Sequence, residues 1–203
     1  MLTSLSVFGV MAKAEGASFV IDFEALRNDS AGLTNEGASY SEDGFTLVTS
    51  NPNNSNFFSV NAQDTPRYQG SVSFFDNNVN GEATLTKDDG SAFDLLSIDL
   101  DQLNTTGGAP VNFTGTKADS STVNQSFTLD GVGVTDDSTR GFQTFNFTGF
   151  DNLLSVSWIQ QAPFHHFDNI TLSASNSLTT PEPSLVLGII SFGVLGFLGK
   201  SKK

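Results

Sequence analysis

Cysteine is absent from this 203-residue chain. That excludes disulfides, zinc–thiolate centres, iron–sulfur clusters and a cysteine nucleophile. Positive charge is scarce: nine Lys and Arg stand against 22 Asp and Glu, a net charge of −13. Without a cationic face the chain has nothing to hold phosphates, so nucleic acid is excluded as a partner. A helical stripe is also missing, because no segment before Ser184 carries apolar residues at helical spacing. Tryptophan occurs once and tyrosine twice, yet phenylalanine occurs 19 times, ample aromatic surface for one core. Asn, Ser, Thr, Asp and Gly dominate the polar fraction, a mix that disfavours helix and favours strands joined by turns.

Period-2 patterning recurs along the middle of the chain. Leu154, Val156 and Trp158 alternate with Ser155 and Ser157, and Leu96, Ile98 and Leu100 alternate with Ser97, Asp99 and Asp101. Phe145 and Phe147 flank Asn146, Phe127 and Leu129 flank Thr128, and Ile170 and Leu172 flank Thr171. Such strands bury one face and wet the other. Asn80-Gly81, Asp89-Gly90 and Asp130-Gly131 supply the positive φ that tight turns need. The pattern predicts strands over 18–23, 45–50, 57–60, 71–75, 82–86, 93–100, 111–116, 123–129, 142–147, 154–159 and 167–173, with a loop over Asn51–Asn56. Eleven strands with polar turns predict an all-β fold, an antiparallel β-sandwich of jelly-roll type.

The two ends read differently. Leu2–Met11 is a short apolar stretch followed by Ala12-Lys13-Ala14, a small-x-small cleavage pattern. No basic residue precedes it, so residues 1–14 are read as a truncated signal peptide. At the other end, Pro181-Glu182-Pro183 precedes an apolar run from Leu185 to Leu198, and Lys200, Lys202 and Lys203 follow. A helix over that run would be about 21 Å long at ~1.5 Å per residue, short of the ~30 Å hydrocarbon layer. The terminal lysines would snorkel to the headgroups, and their charge suits a cytoplasmic end. Three segments result: 1–14 signal peptide, 15–175 β-sandwich domain, and 176–203 linker, short hydrophobic helix and basic tail.

Pro-Glu-Pro, apolar helix and basic cluster, in that order at the chain end, closely resemble the PEP-CTERM sorting signal of Gram-negative bacteria. The resemblance covers Pro181 to Lys203; the tail uses lysines where arginines are common, and the run is short. It implies exosortase as a partner, transient membrane anchoring through the C-terminal helix, and then delivery to the cell surface or extracellular matrix.

A second resemblance covers the body. Phe93-Asp94-Leu95-Leu96-Ser97-Ile98-Asp99-Leu100, Val111-Asn112-Phe113-Thr114-Gly115, the strand ending Phe127-Thr128-Leu129, and Phe167-Asp168-Asn169-Ile170 resemble jelly-roll carbohydrate-binding modules with a galactose-binding-like fold. This implies extracellular polysaccharide as a partner and, in related modules, a structural Ca²⁺ between the first and last strands. Carried over, the candidate metal ligands are Asp22 or Glu24 together with Asp168. Two or three carboxylates are only part of the six to eight oxygens that Ca²⁺ takes. Asp168 and Asn169 would otherwise simply cap a turn.

Other constellations read as ordinary structure. His165-His166 would point to opposite faces of a strand and is expected at a surface loop. Asp99 and Asp101 share one face, expected to meet solvent, and could pair for glycoside hydrolysis only if buried. Asp88-Asp89-Gly90 reads as a turn, and there is no Gly-x-Ser-x-Gly elbow. Trp158, Tyr40 and Tyr68 are candidates for stacking a sugar, although Trp158 is in phase with core residues. The sequence therefore predicts an exported, non-catalytic envelope or matrix protein whose body is either a binding module, with carbohydrate as the candidate ligand, or a purely structural component. The alternative is a small extracellular hydrolase acting on polysaccharide.

Overall fold

A computed structural model describes residues 16–50, 56–64, 67–103, 108, 110–131 and 141–175. The expected signal peptide, most of the Asn-rich loop, and the sorting motif, hydrophobic run and lysine tail all lie outside the described residues. Among those described, no helix is long and apolar enough to cross a membrane.

The described chain is all-β and antiparallel. Its strands are β1 (Ser18–Ile21), β2 (Leu33–Gly37), β3 (Ser39–Glu42), β4 (Phe45–Ser50), β5 (Phe57–Val60), β6 (Ser73–Asp76) and β7 (Glu82–Lys87). Then come β8 (Phe93–Gln102), β9 (Pro110–Lys117), β10 (Thr122–Thr128), β11 (Gln143–Asn146), β12 (Leu153–Ile159) and β13 (His165–Ala174). One 3₁₀ turn, Glu24–Leu26, follows β1. Each expected strand has a counterpart within a few residues. Two were not expected, β2 (Leu33-Thr34-Asn35-Glu36-Gly37) and β3 (Ser39-Tyr40-Ser41-Glu42), because polar residues dominate both.

The sheet has two halves. One runs β3–β4–β7–β12–β9–β10. The other runs β2–β5–β6–β13–β8–β11, with β1 beside the C-terminal part of β13. A single pairing, Leu153 with Phe93, links β12 to β8 and joins the halves. They pack face to face through phenylalanines: Trp158 meets Phe167 edge-on at 5.1 Å, Phe45 meets Phe93 at 5.4 Å, and Tyr40 meets Phe74 at 5.3 Å. Phe74 is also stacked at 4.8 Å on both Phe23 and Phe57.

The two open edges are closed differently. The chain turns the corner from β2 into β3 through Gly37, whose φ of 86° suits a residue without Cβ. Between β10 and β11 a side chain stands in for a ladder: Gln125 Nε2 donates to Asn146 O (3.0 Å), and Thr148 N donates to Gln125 Oε1 (2.9 Å). Phe113, Phe127, Phe145 and Phe147 pack beneath that seam.

Two expected phases break at bulges. Val156 and Trp158 face inward as expected (0% and 3% exposed), but Leu154 is 43% exposed and Leu153 takes its core place. The register with β9 shifts between Leu153 and Ser155. Likewise Ile98 and Leu100 are buried while Leu96 is exposed and Leu95 is inside, opposite register shifts in β13 between Asp168 and Leu172. An extra residue flips the side chains beyond it to the other face.

Candidate functional site

The outer face of the first half is built from the residues between the core positions. Registers across five strands align Val48, Thr84, Ser157, Thr114 and Asn124 in one row. Thr46, Thr86, Ser155, Thr116 and Thr122 form a parallel row. Their chain neighbours Leu85, Val156 and Phe113 are in the core. The face is thus a lattice of short hydroxyl and amide side chains on strands whose opposite side is locked by packing.

At one end of this lattice lie two adjoining depressions. One, of about 100 Å³, is lined by Glu82, Asn112, Thr114, Ser157, Trp158, Ile159 and Gln161. The other, wider and more open at about 390 Å³, is lined by Asn112, Phe113, Asn124, Gln125 and Ser126. Asn112 belongs to both, so together they form one groove crossing β10, β9, β12 and β7. Asn124 Oδ1 accepts from Thr114 Oγ1 (2.8 Å), which orients the amide. Trp158 and Phe113 contribute to the floor while remaining core residues; their rings are 5.3 Å apart.

None of the aromatic residues singled out from the sequence offers a stacking platform in this groove. Trp158 is buried as its phase predicted. Tyr40 packs its ring on Phe23 and Phe74 and donates its hydroxyl to Glu42 Oε2 (3.0 Å). Tyr68 packs against the small cluster of Val60, Phe75 and Leu103 and donates to Gly70 O. The groove residues Glu82, Asn124 and Gln161 were not singled out from the sequence. Their signal, outward phase on neighbouring strands, becomes readable only once strand order is known.

The candidate calcium ligands divide. First and last strands are neighbours, with Ser18 opposite Ser173 and Ile21 opposite Ile170. Glu24 and Asp168 meet on the segment entering β6: Val72 N donates to Glu24 Oε1 (2.7 Å) and Ser71 Oγ donates to Asp168 Oδ2 (2.5 Å). Asp22 has other partners. It accepts from Glu24 N (3.0 Å) and lies beside Glu42. Burial drives the Glu42 carboxyl up, and Asp22 adds to that, against the bonds from Tyr40 and Phe23. Among the described residues no group of three or more His, Asp or Glu side chains is gathered as a metal ion needs. Glu24 and Asp168 each accept from a protein donor, and two carboxylates supply only part of the six to eight oxygens that Ca²⁺ takes.

Asp168 is itself unusual. It is 0% exposed. Burial pushes its carboxyl up to about 7, helped by Asp99 and Glu24 and opposed by the Ser71 and Asn169 bonds. Asp99 is its cross-strand partner and accepts from Asn169 Nδ2 (2.9 Å) and Thr144 Oγ1 (2.6 Å).

Beside it lies an arrangement the sequence concealed. Ser73 Oγ is 2.7 Å from His166 Nδ1, and His166 Nε2 is 3.4 Å from Asp101 Oδ2. The histidine pair is thus not at a surface loop: His165 and His166 are 1% and 0% exposed within β13, and Asp101, expected in solvent, is 6% exposed. Phe142 lies tilted against His166, with ring centroids 4.8 Å apart. Ser, His and Asp in line are the parts of a nucleophilic hydrolase. Here Ser73 is 1% exposed, so its hydroxyl is closed to a substrate and the line reads as a satisfied polar network beneath the surface. His165 faces Gln160. With its amide oxygen toward the ring, Gln160 accepts from His165 Nδ1 (3.2 Å) and His165 N (2.8 Å). Burial, with a small contribution from His166, lowers the His165 pKa to about 3, so the ring stays neutral.

No protein-family model matches the sequence, and no curated protein matches it. Several solved structures are loosely similar, three of them as follows. A family 29 carbohydrate-binding module shares 13% identity over 80% of this chain and 91% of its own, with a TM-score of 0.35. A mutant family 29 module complexed with mannohexaose shares 14% over 80% of this chain and 94% of its own, with a TM-score of 0.35. The family 11 module of a cellulosomal cellulase of Clostridium thermocellum shares 14% over 80% of this chain and 97% of its own, with a TM-score of 0.29. Likeness at this level is too loose to transfer a ligand or a binding site.

Proposed function

We propose that the body is a non-catalytic, carbohydrate-binding β-sandwich of jelly-roll type. On this reading it belongs to an exported protein that the Pro181–Lys203 segment delivers to the cell surface or matrix. One observation carries the binding reading: the groove of amides and hydroxyls that crosses four strands at Asn112. A sugar chain offers hydroxyls that donate and accept, and Asn and Gln side chains offer both roles in fixed geometry. Strands packed on a core hold those groups in place before the ligand arrives, which lowers the cost of binding.

A glycan array probed with the purified chain tests this. At least one glycan should bind, and Asn112→Ala and Asn124→Ala should each weaken it about five- to tenfold, the usual worth of one or two hydrogen bonds. Both should leave the melting temperature nearly unchanged. An array without a hit would sink the reading. The rival is a small extracellular polysaccharide hydrolase, which would need two carboxylates flanking the scissile bond; release of reducing ends by the purified chain would favour it.

The sorting part rests on the C-terminal motif. In a host with exosortase, protein recovered from the matrix should lack Leu185–Lys203, and intact-mass analysis reads this directly. A full-length mass on the released form would count against it.

A further inference from the structure

Resting on the carbohydrate reading, we infer that the groove selects uncharged glycan chains and that Glu82 sets this selection. Glu82 is the only ionisable side chain among the residues lining the two depressions. It stands on β7, opposite Ile159 on one side and Ser50 on the other, so apolar and neutral groups flank it. All remaining polar groups in the lining are neutral amides and hydroxyls.

This pattern has two consequences. A carboxylate accepts hydrogen bonds from sugar hydroxyls, and such charge-assisted bonds are stronger than neutral ones. The same carboxylate repels a uronate carboxylate or a sulfate ester placed over it, and its partial burial leaves that repulsion less screened than at an open surface. A chain carrying −13 overall adds to it. No lysine or arginine lies in the groove to offset the effect. The groove is also long. Neighbouring strands lie ~4.8 Å apart, so crossing from β10 to β7 spans about 14 Å, which suits an oligosaccharide rather than a single ring.

Matched oligosaccharides that differ only at C6 make the test. Mannohexaose is compared with hexamannuronate, and galactohexaose with hexagalacturonate, by calorimetric titration of the full chain in 0.15 M salt. The neutral member of at least one pair should bind ten times tighter or more than its uronate. Glu82→Gln, which keeps shape and hydrogen bonding, should bring that ratio below about three by strengthening the uronate. Glu82→Asp should retain the discrimination. A uronate bound as tightly as its neutral partner, or a ratio unchanged in Glu82→Gln, overturns the role of Glu82 while leaving carbohydrate binding intact. If none of the four hexamers binds, this inference falls; if the array is empty as well, the carbohydrate reading falls with it.

Discussion

Truncation of Trp158 to alanine should destabilise the protein by about 3–5 kcal/mol, the usual cost of removing a large buried aromatic ring. Trp158 is 3% exposed and sits where the two halves of the sheet meet. Its ring lies 5.3 Å from Phe113 on its own half and 5.1 Å from Phe167 on the other. The surrounding backbone is fixed by ladders on both sides, with Trp158 opposite Ala83 on β7 and Phe113 on β9. The site therefore has little freedom to collapse, which places the cost in the upper part of the range. Because this is the sole tryptophan, unfolding of the variant must be followed by circular dichroism rather than fluorescence. Ser157→Ala, on the outer face next door, serves as the control and should change stability by no more than about 0.5 kcal/mol. An unchanged denaturation midpoint for Trp158→Ala would show that the ring is not part of the core.

The second large effect is electrostatic. Asp168 titrates near 7 in the folded chain, against about 3.9 for an unperturbed aspartate. Between those values the folded state holds a proton that the unfolded state has released. Stability from this group is therefore fully present below about pH 4, falls as pH rises toward 7, and changes little beyond. Three pH units correspond to about 4 kcal/mol, an order-of-magnitude figure. His165 works in the opposite sense. Its folded pKa near 3 lies below the unfolded value of about 6.5, so its contribution is lost in acid and restored as pH rises through that window. The overall profile of the native protein is thus partly flattened by cancellation.

Asp168→Asn isolates the carboxyl, because asparagine copies the protonated form without the charge. Its denaturation midpoint should match the native protein near pH 4 and exceed it at pH 7.5. The gap should open progressively across the interval, while His165 contributes equally to both curves. Parallel curves would mean that Asp168 does not hold its proton. The same group anchors Ser71, and Glu24 beside it anchors Val72.

Much of the architecture was legible locally. Phe45–Ser50 and Phe57–Val60 were readable to the residue because each is a short run rich in aromatic and β-branched residues, bounded by turn residues. The absence of α-helix among the described residues up to Ser175 agrees with the composition. Strands β2 and β3 escaped because an edge strand buries little and so carries little apolar signal. Adjacency of the first and last strands was expected by resemblance, and Ile21 opposite Ile170 bears it out.

What the sequence determined by itself is the alternation: which residues of a strand share a face, and where a turn must interrupt it. That is a property of the backbone, whose side chains switch sides at every step. Only the tertiary structure decided which outer face stays open and which is covered. The bulges beside Leu154 and Leu96 depend on partners far along the chain. The burial of Ser73, His166 and Asp101 in one line joins residues up to 93 positions apart. The groove across Asn124, Asn112, Ser157 and Glu82 exists because β12 lies between β7 and the β9–β10 hairpin, three pieces that are neighbours in space and not in sequence. Strand order is set by how the phenylalanine faces pack against one another, a long-range outcome that no local pattern encodes.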